Sequence, residues 1–159
     1  MNFHRSAAHN HSLLDDSLAQ HPDLAEQTVL AAVRTWLHPD CGTAREQKSW
    51  RDVLVDAGLH TDGLDHFDML MYSLTCASCR PLDTRCRCAT DLANDEASLL
   101  QTIAHLQTTH SEAAMRILND WLPSFTVSGV LKIARWFSIS LLDAGLEIRA
   151  RARSVTYMH

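Results

Sequence analysis

The chain has 159 residues, 46% of them apolar, with five glycines, four prolines and a formal net charge of −5. That is enough apolar matter for one self-supporting core, and so few glycines and prolines disfavour a turn-rich β protein. The negative balance excludes a global attraction to nucleic acid or to an anionic membrane.

The first twenty residues are polar and read as a loosely held tail, 1–20, with a turn of helix around residues 13–18. They lack the apolar centre of a secretory signal, so a cytoplasmic protein is expected. His4, His9 and His11 lie in this tail and read as solvated side chains rather than a metal trap.

A helical domain is expected over residues 21–145. Its first helix spans 23–37, started by Pro22, with Leu30, Val33 and Leu37 at helical spacing. "HPDCG" ends it. The second starts at Thr43, where Thr43 and Glu46 match a capping box, and it presents Trp50, Val53, Leu54 and Ala57 before Gly58 closes it. The third, 62–74, aligns Leu64, Phe67, Leu70, Met71 and Leu74.

After a polar stretch at 75–93, Asn94 is placed to cap a fourth helix. Asp95 and Glu96 suit the positive end of its dipole, and Leu99, Leu100, Ile103 and Leu106 form its stripe. Ser111 is placed to cap a fifth helix with Ala114, Ile117, Leu118 and Trp121, stopped by Pro123. Thr126 is placed to cap a sixth, running to Asp143. On it Val127, Val130, Leu131, Ala134, Phe137 and Leu141 share a face that Ile133 and Leu142 widen. Lys132, Arg135 and Asp143 interrupt this apolar run, so it does not read as a membrane span. From Leu146 the apolar and basic residues alternate like a strand, with arginines at 149, 151 and 153. A lone strand has no partner here, so 146–159 is expected as an extended arm, docked or paired with another subunit. The fold class is all-α, one domain of about six helices.

The stretch "TCASCRPLDTRCRC" holds four of the five cysteines as Cys-x-x-Cys, six residues, then Cys-x-Cys. A connection as long as 75–93 without structure of its own is uncommon in a compact domain. A metal staple would hold it: Cys76, Cys79, Cys86 and Cys88 can supply two chelating thiolate pairs to a tetrahedral zinc ion. Arg80, Arg85 and Arg87 would offset the excess negative charge, and Pro81 restricts the turn between the pairs. The alternatives are an iron–sulfur cluster on the same thiolates, a reversible dithiol switch, or cysteines that merely pack. Cys41, three residues after His38, could add a ligand from a distance, but it is expected outside the metal shell as a free, buried cysteine. His66 could replace a thiolate, but beside Asp65 and Asp68 it reads as a solvated, ion-paired histidine.

No nucleophile elbow, phosphate loop or H-E-x-x-H motif is present, so no catalytic residue is nominated. Residues 50–74 have the outline of a helix-turn-helix, but Asp62, Asp65 and Asp68 would face phosphates, so ordinary hairpin packing is expected and nucleic acid is not an expected partner. Trp136 and Ile139 fall on the polar side of the sixth helix. The resulting expectation is a small cytoplasmic zinc-binding regulatory or adaptor module. Its expected partner is itself, as a homodimer through Trp136, Ile139 and the arm at 146–155. A thiol-based redox or iron–sulfur protein is the alternative.

Overall fold

The computed structural model describes residues 22–41 and 48–151. The predicted tail 1–20, the Thr43–Glu46 capping box and the arm beyond Arg151 lie outside the described residues. Among the described residues the protein is all-helical: α1 (Leu24–Leu37), α2 (Trp50–Asp56), α3 (Thr61–Ala77), α4 (Asn94–Gln107), α5 (Ser111–Trp121) and α6 (Ser124–Asp143).

Two helices start where a cap side chain takes up their free N–H groups. A capping box opens α1: the Glu26 amide donates to Asp23 Oδ1 at 2.9 Å, and Glu26 Oε1 accepts from the Asp23 amide at 3.3 Å. Another opens α2, between Ser49 and Asp52. Three predicted caps are displaced. Asn94 is the first residue of α4, and the amide of Ala93 before it donates to Glu96 Oε1 at 3.0 Å. Ser111 is already helical, with His110 at the cap. Thr126 lies inside α6, where its hydroxyl donates back to the Pro123 carbonyl at 2.7 Å. Gly58 closes α2 with φ at 104°, a left-handed conformation that glycine adopts without strain.

The predicted stripes form the core. Phe67 of α3 meets Phe137 of α6 with ring centroids 5.2 Å apart, and Trp50 of α2 meets Phe67 at 5.2 Å. Leu64, Leu70, Met71 and Leu74 are buried with them, as are Leu99, Leu100 and Ile103 of α4, and Val127, Val130, Ala134 and Leu141 of α6. Each fully buried Val, Leu, Ile, Phe or Met side chain among them contributes about 1.5–3 kcal/mol. By length and composition α6 could cross a bilayer, with a mean hydropathy of 1.3, but here its apolar stripe is core. Leu142, read as widening that stripe, instead lies 40% exposed at its edge.

The alternating segment after Gly145 does not form a strand in its described part, 146–151. It lies extended along its own α4. Gln107 Nε2 donates to the Leu146 carbonyl at 2.9 Å, and Gln107 Oε1 accepts from the Ile148 amide at 2.7 Å. Gln101 does the same one step on, with the Arg149 carbonyl at 3.3 Å and the Arg151 amide at 2.8 Å. Two side-chain amides thus replace the missing strand partner, and Ile148 is buried beneath them.

Candidate functional site

The third helix runs on past the predicted 74 to Ala77 and takes in Cys76; beyond it the cysteine segment is a loop without regular structure, and buried charge holds it to the core. Arg34, near the end of α1, is the central clamp. Its Nε and Nη2 donate to Glu96 at 2.6 and 3.1 Å. Nη2 also reaches the Asp91 carbonyl and Nη1 the Ala89 carbonyl, both at 2.9 Å. Both side chains of the Arg34–Glu96 pair are almost fully enclosed, at 5% and 0% exposure. Glu96 takes the Arg85 amide as well, at 3.2 Å.

Asp95 anchors the first half of the loop. Arg80 grips it with two parallel bonds, of 2.9 and 3.0 Å, and the Asp83 amide donates to it at 2.6 Å. Leu82 and Leu92 rest on the core beside these contacts. The sequence suggested a metal because something must hold so long a connection. The two acids at the start of α4, read as dipole complements, perform that task. The arginine-rich loop opposite two adjacent acids was the sequence signal for it.

The arginines therefore face oxygen. Arg85 pairs with Asp91 at 2.9 Å and, by that hydrogen bond, holds the Asp91 carboxyl below its usual range. Arg87 donates to Thr35 Oγ1 at 2.7 and 3.1 Å, to the Lys48 carbonyl at 2.9 Å and to the Cys41 carbonyl at 3.3 Å.

All five thiols are free and exposed, which corrects the reading of Cys41 as buried. The turn after α1 holds Cys41 at the surface, its amide donating to the His38 carbonyl at 3.2 Å. Cys86 and Cys88 sit together, Sγ to Sγ at 3.5 Å, in a turn closed by the Ala89 amide on the Cys86 carbonyl at 3.0 Å. The hydrogen bond and charge of Cys86 push the Cys88 thiol up, and Cys41 adds to this from across the gap. Sulfurs sharing one zinc lie within about 4.6 Å of each other, given metal–sulfur bonds of about 2.3 Å. Cys86 and Cys88 meet that limit. Among the described residues, no group of three or more His, Cys, Asp and Glu side chains is assembled to hold an ion. The four-thiolate staple of Cys76, Cys79, Cys86 and Cys88 is thus not seen as a formed site.

His66 is not a solvated ion-pair partner. Its Nδ1 lies 3.1 Å from Ser140 Oγ, and its ring packs 5.5 Å from that of Trp136. Asp68 accepts from Trp36 Nε1 at 2.9 Å. Trp136 and Ile139 are 39% and 49% exposed, on the side of α6 predicted for them, with Lys132 Nζ 5.3 Å over the indole. No protein-family model, curated protein or solved structure matches the chain.

Proposed function

We propose that the chain is a small cytoplasmic regulatory or adaptor module whose cysteine loop binds a thiophilic metal ion, zinc foremost, and which acts through protein contacts. The observation that carries this reading is the Cys86–Cys88 pair, 3.5 Å apart and exposed on a loop clamped to the core. Two thiolates that close repel each other, and a dication removes the repulsion while fixing both. A reducing compartment keeps such thiols available.

The same spacing favours a second reading, a reversible dithiol. Cys86 and Cys88 would form an S–S bond, losing two protons and two electrons to an external disulfide. Metal analysis of the full chain purified without added metal, with thiols counted before and after chelation, separates the two. Bound zinc near one equivalent, with thiols unmasked by chelation, is the expected result. A metal-free chain with two thiols missing until a reductant is added would favour the dithiol. Five free thiols and no metal would defeat both.

A further inference from the structure

Two turns meet at the C-terminal end of α1. One carries His38 and Cys41, folded together by the Cys41 amide on the His38 carbonyl at 3.2 Å. The other carries Cys86 and Cys88. Arg87 joins them, with its guanidinium on Thr35 of α1, on the Cys41 carbonyl and on the Lys48 carbonyl. A second link is His38 Nε2, 3.3 Å from Thr84 Oγ1. If Nε2 carries the proton and donates to that hydroxyl, Nδ1 keeps a free lone pair. Metal-ligating imidazoles characteristically have their other nitrogen hydrogen-bonded in this way.

Cys76 and Cys79 belong to a different anchorage. Cys76 lies in the last turn of α3, and Cys79 adjoins Arg80, which is fixed to Asp95. We propose that the metal-binding set is His38, Cys41, Cys86 and Cys88, one imidazole and three thiolates, with Cys76 and Cys79 outside it. The ligand is a divalent, tetrahedral, thiophilic cation of the zinc class. Three thiolates leave one negative charge on the centre, and Arg87 stands between the turns to balance it. The donors are not yet converged, so binding closes two exposed turns onto each other. This inference rests on the metal reading above and specifies its ligands.

Cobalt(II) added to the full-length reduced chain is the probe, because sulfur-to-cobalt absorption reports the number of thiolates bound. One cobalt with about three thiolates is expected. Cys41→Ser and His38→Ala should each weaken its affinity by at least about tenfold. The double variant Cys76→Ser/Cys79→Ser should leave both affinity and spectrum in place. All these residues lie outside the core, and unchanged helical circular dichroism without metal confirms that each variant is folded. If the Cys76/Cys79 double variant loses cobalt while Cys41→Ser keeps it, this ligand set is wrong and the four-cysteine site is right. A wild-type chain that binds neither cobalt nor zinc at micromolar concentration overturns the metal reading itself, and this set with it.

Discussion

Glu96 shows how one side chain can carry a whole segment. It accepts from Arg34, from the Arg85 amide and from the Ala93 amide, and it is 1% exposed. Removing one partner of an enclosed ion pair leaves the other charge desolvated, at a cost of about 3–5 kcal/mol. Glu96→Ala should therefore lower stability by that amount in chemical denaturation and speed tryptic cleavage after Arg85 and Arg87. His105 works in the opposite sense. Burial, with a smaller contribution from His110, holds its pKa below the usual 6.5, and its Nδ1 has no hydrogen-bond partner among the described residues. The unfolded chain takes up that proton more readily than the folded one. Stability is thus full above about pH 6.5 and falls as pH drops from there towards the lowered folded value. The thermal midpoint should fall between about pH 7.5 and pH 5, and His105→Gln should flatten that dependence.

At the level of elements, the helices were legible because their stripes repeat at 3.6 residues, and burial enforces that period. Leu64, Phe67, Leu70, Met71 and Leu74 were all placed correctly on α3. The caps were less legible. Asn94, Ser111 and Thr126 have cap chemistry, yet neighbouring residues hold the cap positions. The thiols could be found as a group from spacing alone. That the loop also reaches the turn at Cys41 rests on Arg87, a contact across 46 residues that has no local signature. The close approach of α3 to α6 was likewise silent in the sequence. A Cβ on Gly63 would stand 3.1 Å from Ser140 Cβ and 3.1 Å from Leu59 Cδ2. Alanine there gains up to about 1 kcal/mol of helix propensity, which offsets part of the crowding. Valine adds two methyl groups where there is no room, so Gly63→Val should destabilise by about 1–3 kcal/mol in thermal or urea unfolding.

For the whole molecule, the described part of the arm is held within its own chain. Arg151 donates to Glu26 at 2.7 Å and Arg149 lies 3.9 Å from Asp23, so both are engaged within their own chain. The homodimer expected from the sequence would then rely on Trp136 and Ile139. Sedimentation at micromolar concentration should give a dimer hardly sensitive to salt, and Trp136→Ala should convert it to monomer. A salt-sensitive dimer would return the contact to the arm. The glutamine clips on that arm also fix a commensurate spacing between two kinds of backbone. Six residues of helix from Gln101 to Gln107 rise about 9 Å. Three residues of extended chain cover about 10 Å. The two rulers coincide at that interval, and a single inserted or deleted residue between the clips would put them out of phase. Within the described residues the grip on the arm is two notches long.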